Sequence, residues 1–197
     1  FILFCDTIFQ KNLGFLPSRE EDGVVFVQEV EDYQRFGVVT HKDRMMTGIV
    51  EKPKEPISKL ANIGAYYLRN GVDFMQYVQR VIDEGRMMKG EYFLTDAFAV
   101  MVQDGKRLHV EDVDAWLDVG TREAVMKANK YILNGAVWRG DNVVLENVDL
   151  ANVVLGDNAV VKNGEFENVI IGKNAHVDLQ GGELHDSCIG DNVTYIS

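Results

Sequence analysis

Three stretches combine residue types at a spacing that suits chemistry. "FILFCD" ends an apolar run on Asp6, "MMTGIVEKP" ends one on Glu51 and Lys52 with Pro53 behind them, and "AWLDVGT" carries Trp116 and Asp118 ahead of a Gly–Thr turn. Ligands of open α/β sheets collect at the carboxyl ends of strands. Two carboxylates so placed suit a hard cation that keeps several of its waters, the habit of Mg²⁺. A single strand-end Asp more often caps the next turn, so the pair carries the reading. Trp116 and Asp118 are two apart and share one side of a strand. Pro53 cannot continue a strand, and the residue before a proline is driven to extended backbone. Lys52 is therefore expected to be extended, a rigidly mounted cation able to neutralise a phosphate.

The elements needed to position these groups are legible up to Leu133. Phe1–Cys5, Gly23–Val30, Gly37–Thr40, Met46–Val50 and Gly64–Leu68 read as strands, rich in Val, Ile and aromatics. Val72–Asp83 reads as a helix with Phe74, Tyr77, Val78 and Val81 on one face and Gly85 as its stop. Thr95 is expected to cap a second helix closed by Gly105, and Thr121 a third ending near Leu133. Strands interleaved with helices imply an α/β sheet covered by helices.

After Asn134 the texture changes. "GDNV", "GDNA", "GKNA" and "GDNV" begin at Gly140, Gly156, Gly172 and Gly190, at spacings of 16, 16 and 18 residues. Gly and Asn tolerate the left-handed backbone of tight corners, so each repeat reads as one coil of a β-solenoid with aliphatic residues stacked inside. Cys188, beside Ile189, reads as a buried residue of its wall. The run "DNVTYIS" presents a strand edge, for which further chain after Ser197 or a homo-oligomer is the expected cover.

Bulk properties remove several classes. Twenty basic against 31 acidic residues give a net charge of −11, which argues against nucleic acid or an anionic membrane as the partner. Two cysteines are too few for a disulfide framework. No run of about 18 apolar residues and no signal peptide occurs, so the expectation is a soluble, cytoplasmic protein. His41, His109, His176 and His185 lack metal-ligand spacing. "FILFCDTIF" opens inside a strand, which implies residues upstream.

"FCDTIF", "RFGVV", "GIVEKP", "ANIGAYYL", "GEYFLTDA" and "WLDVGT" occur in the order and spacing of the sugar-1-phosphate nucleotidylyltransferases, and the chain most resembles glucose-1-phosphate thymidylyltransferases. The resemblance implies a Rossmann-like nucleotidyltransferase α/β sheet over residues 1–133, N-terminally incomplete, followed over 134–197 by a left-handed parallel β-helix of hexapeptide coils. It implies transfer of a nucleotidyl group from a nucleoside triphosphate, dTTP or UTP, to a sugar 1-phosphate with release of pyrophosphate. Asp6 and Asp118 match the acids that bind catalytic Mg²⁺, and Lys52 the lysine that contacts the sugar phosphate. Glu51 matches the acid that holds sugar hydroxyls. Gly37 falls where a backbone group meets the sugar, Asn62 lies in the segment lining the sugar site, and Trp116 matches a tryptophan near the sugar.

Departures from the family pattern are local. No residues match the family's Gly-rich loop, which binds the triphosphate and precedes the Asp6 strand. Cys5 stands where a Gly usually precedes the metal Asp, and Thr7 where an Asn follows it. The alternative reading is a non-catalytic relative that keeps the pocket for regulation or serves as an assembly subunit. Retention of Asp6, Lys52 and Asp118 together favours the enzyme.

Overall fold

The computed structural model describes Phe1–Ser197, which form two compact units, Phe1–Asp118 and Val119–Ser197. The first contains β1 (Ile2–Leu3), β2 (Thr7–Gln10), β3 (Gly23–Glu29), β4 (Gly37–Lys42), β5 (Met45–Glu51), β6 (Leu60–Leu68), α1 (Gly71–Asp83), α2 (Leu94–Gln103), β7 (Leu108–Asp112) and β8 (Ala115–Asp118). Six strands form one sheet in the order β1-β6-β3-β7-β5-β4, and β2 pairs with β8 in a separate ribbon. In the large sheet β3–β7 is parallel and the other pairings are antiparallel. The α/β sheet is therefore a mixed one in this chain.

β3 explains its own continuous apolar run. Val25 and Val27 join the cluster that contains Phe98 and Met101 of α2, while Val24 and Phe26 point the other way, toward Leu16, Ile63 and Ala65. A strand covered on both faces needs no polar alternation. α1 packs on α2, and α2 on β5. The Asn70 side chain starts α1 by accepting from the Val72 and Asp73 amides at 3.1 Å.

Three expectations in this unit give way to tertiary structure. Only Ile2 and Leu3 of the first run are strand, and Cys5–Asp6 form a turn into β2, so Asp6 stands on a turn. Lys52 is not extended: its φ is +42°. Its amide donates to the Phe36 carbonyl at 3.0 Å, a bond that helps hold a backbone the following proline disfavours. Thr95 does not cap α2. Phe93 occupies that position without a side-chain cap, and the Thr95 hydroxyl is used elsewhere.

The second unit opens with α3 (Arg122–Leu133), capped by the Thr121 hydroxyl, which accepts from the Ala124 amide, and closed by Asn134 at φ +45°. β9 (Val137–Arg139), β10 (Val144–Leu155), β11 (Val160–Ile171), β12 (His176–Ile189) and β13 (Thr194–Ile196) follow as one parallel stack in sequence order. This is a β-solenoid. Leu155, Ile171 and Ile189 stack in register, as do Leu150, Phe166 and Leu184. The coil corners fall at left-handed residues: Asn142, Asn147 and Asn152, then Asn158, Asn163 and Asn168, then Asn174, Gln180, Asp186 and Asn192. Steps between corners are five, five and six residues in the first two coils and six throughout the third. The longer coil arises where Leu179-Gln180-Gly181 stand opposite Asn163 alone, with Leu179 buried inside. Asn side chains bond from coil to coil, 142 to 158 to 174 to 192, at 3.2, 3.0 and 3.0 Å.

The compact units part at Asp118/Val119, ahead of the change in sequence texture at Asn134, because α3 packs on the coils. Its Asn129 amide donates to the Asn152 carbonyl at 2.8 Å and to Asn168 Oδ1 at 3.0 Å. Cys188 is exposed, contrary to expectation, and its Sγ lies 3.2 Å from Met126 Sδ of α3. No helix is long and apolar enough to cross a membrane.

Candidate active site

Asp6, Gly37, Glu51, Lys52, Asn62, Trp116 and Asp118 all line one cavity of about 530 Å³ in the first unit. The antiparallel register does much of the gathering. Gly37 on β4 lies opposite Glu51 on β5, and Thr7, the neighbour of Asp6, lies opposite Asp118 across the β2–β8 ribbon. The Thr7 hydroxyl donates to the Ile63 carbonyl at 2.7 Å, tying the ribbon to β6.

Glu51 is the most constrained charge. Its side chain is 15% exposed, and Oε2 accepts from the Thr95 hydroxyl at 3.2 Å. Burial pushes its carboxyl above the ordinary range; the Thr95 bond and the Lys52 charge pull it back, and the Asp96 charge adds to the rise. A Cβ at Gly37 would stand 2.8 Å from Glu51 Oε2 and 3.0 Å from Thr95 Cγ2. Glycine there leaves the carboxylate room to stay on Thr95. Lys52 is half exposed, its Nζ 3.8 Å from Glu51 Oε1 and 5.4 Å from the centre of the Phe93 ring. The left-handed corner thus presents Glu51 inward and Lys52 at the mouth.

Asn62 is buried. Its Nδ2 donates to the Tyr66 hydroxyl at 2.5 Å and its Oδ1 accepts from the Gly64 amide at 3.1 Å. Burial raises the Tyr66 phenol far above its ordinary pKa, so at neutral pH the hydroxyl is protonated. Its ring stacks on Phe98 at 4.4 Å, which fixes Asn62 through the hydroxyl. Trp116 meets the Phe36 ring edge-on at 5.1 Å, and its buried Nε1 has no hydrogen-bond partner.

At the other side of the cavity, Asp118 Oδ2 accepts from Arg35 Nη2 at 3.2 Å, and Arg35 Nη1 donates to Asp32 Oδ2 at 2.9 Å. Asp6 and Asp118 supply two carboxylates, and no group of three or more His, Cys, Asp or Glu side chains is arranged to hold a metal ion. Two hard donors suit a cation that retains most of its waters, so the donor set fits Mg²⁺.

Sequence reasoning passed over Arg35, Thr95 and Tyr66, which also line the cavity. Arg35 and Tyr66 sit inside "RFGVV" and "ANIGAYYL", the stretches that supplied Gly37 and Asn62. Thr95 looked like a helix cap, and nothing local signals its bond to a residue 44 positions away.

The chain is similar to known proteins. The model of the nucleotidyl transferase family matches residues 3–135. The low-salt glycan biosynthesis nucleotidyltransferase Agl11 of Haloferax volcanii is 30% identical over 135 residues, covering 65% of this chain and 36% of that protein. The UTP–glucose-1-phosphate uridylyltransferase AglF of the same organism is 28% identical over 130 residues, covering 62% and 51%. A crystal structure from Bacillus anthracis, assigned as a glucose-1-phosphate thymidylyltransferase and holding sucrose, superposes with a TM-score of 0.55 at 29% identity over 66% of this chain and 52% of that one. The chain thus spans between 36% and 52% of the length of these relatives. A family match that runs through more than half of the chain, and through every residue of the cavity, means that the chain belongs to the nucleotidyl transferase family.

Proposed function

We propose that the whole protein transfers a nucleotidyl group from dTTP or UTP to a sugar 1-phosphate. The observation that carries this reading is the convergence of Asp6, Glu51, Lys52 and Asp118 on one cavity in a chain of this family. An oxygen of the sugar phosphate attacks the α-phosphorus, a new P–O bond forms, and the bond to the β-phosphate oxygen breaks, so that pyrophosphate leaves with the electron pair. Such transfer needs positioning and charge neutralisation more than covalent help from the protein.

In this reading Lys52 faces the sugar phosphate, and Glu51 accepts from sugar hydroxyls, its carboxylate set by Thr95 and by the space at Gly37. Asn62 and Trp116 border the sugar. Asp6 and Asp118 hold Mg²⁺, which when bound neutralises charge on the phosphate oxygens. The solenoid is taken as left-handed and as an assembly element of a cytoplasmic homo-oligomer, with no part in the chemistry. The test is pyrophosphate release by the whole protein given glucose 1-phosphate with dTTP, UTP, CTP, GTP or ATP in turn. Release that requires both substrates and a divalent cation is expected, fastest with dTTP or UTP. Tight glucose 1-phosphate binding without turnover on any triphosphate would replace the enzyme with a regulatory relative.

A further inference from the structure

Arg35 lies where a substrate-binding cavity would not need a salt bridge. It ends the short 3₁₀ helix Tyr33–Arg35, two residues ahead of Gly37. The turn is fixed by Arg35 N–H to the Asp32 carbonyl at 3.2 Å and Phe36 N–H to the Tyr33 carbonyl at 3.1 Å. The guanidinium lies 5.1 Å from the Phe36 ring centre and spans two carboxylates, Asp32 at 2.9 Å and Asp118 at 3.2 Å. Its two anchors differ in kind. Asp32 belongs to the same turn, whereas Asp118 comes from β8, 83 residues away.

We propose that Arg35 is a displaceable counter-ion of Asp118: it neutralises the carboxylate, yields it to a divalent cation, and thereby sets how tightly the cavity binds that cation. This inference rests on the reading of Asp6 and Asp118 as the cation's ligands. Arg35 is 59% and Asp118 27% exposed in their side chains, so water screens the pair, and exposed ion pairs are weak. A divalent cation brings twice the charge and, for Mg²⁺, contacts oxygen at about 2.0–2.1 Å, nearer than the guanidinium nitrogen. It therefore wins the carboxylate at the expense of the Arg35 contact. Once released, the guanidinium stays tethered at the cavity wall by Asp32 and the Phe36 ring, a position from which it can face an anionic ligand. Lys52, the other cation in the lining, pairs with Glu51 and not with Asp118, which gives the idea an internal control.

The experiment is Mn²⁺ binding to the chain itself, read by the electron paramagnetic resonance of the free ion at low ionic strength. Arg35→Gln is expected to lower the Mn²⁺ Kd about fivefold, the tenfold-per-1.4-kcal/mol equivalent of an exposed pair's upper range. Lys52→Gln removes the same charge from the same cavity without touching Asp118 and is expected to change Kd less than twofold. Asp118→Asn should abolish site binding in either background. An Arg35→Gln Kd equal to wild type, or equal tightening by Lys52→Gln, overturns the counter-ion role while leaving the ligand assignment standing. If neither wild type nor Arg35→Gln binds Mn²⁺, or if Asp118→Asn binds as wild type does, the ligand assignment falls and the inference with it.

Discussion

The two units tolerate left-handed backbone in opposite ways. In the solenoid it falls almost wholly on Asn and Asp at coil corners, the non-glycine residues that accept it most cheaply. Side-chain bonds join corner to corner from Asn142 through Asn158 and Asn174 to Asn192, from Asn147 to Asn163 and from Asn168 to Asp186. In the α/β unit it falls on the Asp43-Arg44 hairpin turn, on Lys89 and on Lys52. A lysine has no local compensation for that conformation, so Lys52 depends on the Phe36 carbonyl and on β-sheet register to stay there. The solenoid spends its irregularity on architecture that repeats. The α/β unit places one such residue, Lys52, at the corner of a cavity, where strain persists only because the surroundings over-determine it.

The contrast predicts that the units can be damaged separately. The largest effect is expected from Phe166→Ala, because Phe166 is 2% exposed at the centre of the coil stack. Truncating it should cost about 3–5 kcal/mol in urea unfolding of the solenoid, with glucose 1-phosphate affinity unchanged by calorimetry. Loss of that affinity would break the separation. Next comes Asp118→Asn, which should cut turnover of the whole protein by two decades or more, roughly the effect of losing part of a charge clamp on a transferring group. Solenoid melting should not move. Turnover at the wild-type rate would remove Asp118 from the site.

Lys52 offers a sharper cut, since its side chain and its backbone make different demands. Lys52→Ala should raise the KM for glucose 1-phosphate by about 10–100-fold, from the loss of a charge-assisted contact worth roughly 1.5–3 kcal/mol. Lys52→Gly should be equally poor in KM yet more stable than Lys52→Ala by about 1 kcal/mol, because glycine removes the left-handed penalty. Equal stability of the two would show that the corner carries no strain. Glu51→Gln should instead reorder preference across a panel of hexose 1-phosphates, a profile that Lys52→Ala does not give.

What the sequence discloses follows the same division. Gly140, Asn142 and their repeats announced the solenoid because corner chemistry is local and each coil repeats it. The spacing of 18 needed the structure to show two residues inserted at one corner. In the α/β unit the residues of the cavity were recognisable through six family-like stretches, whereas their conformations were not. The rule that pins a residue before proline is a local preference, and the Lys52–Phe36 bond belongs to a tertiary context that outweighs it. Thr95 has the residue type of a cap, but the nearby Glu51 carboxylate competes for its hydroxyl. Arg35 was invisible because a surface arginine beside an aspartate is commonplace, and only the fold brings Asp118 to it.

Thr95 also supplies the smallest and most discriminating test. Glu51 titrates above its ordinary range because burial disfavours the charged form, and the Thr95 hydrogen bond is the largest influence acting the other way. Thr95→Val keeps the shape and removes that bond, so the carboxyl should take up its proton at a still higher pH. A carboxyl whose folded pKa lies above its unfolded value contributes stability that is fully present below the unfolded pKa and is lost as pH rises through the folded one. Acidification through that window should therefore stabilise wild type, and should stabilise Thr95→Val more, with the upper edge of the window moved toward neutrality. Above it, where Glu51 is ionised in both, the variant should be weaker by about 1 kcal/mol, the usual worth of one hydrogen bond. The midpoint is read from the Glu51 carboxyl ¹³C shift against pH, and the stability from thermal unfolding at each pH. Thr95→Ser should restore both. A Thr95→Val midpoint at or below that of wild type would mean that Glu51 is held by the wall around Gly37 alone, and that the hydroxyl from α2 only fills space.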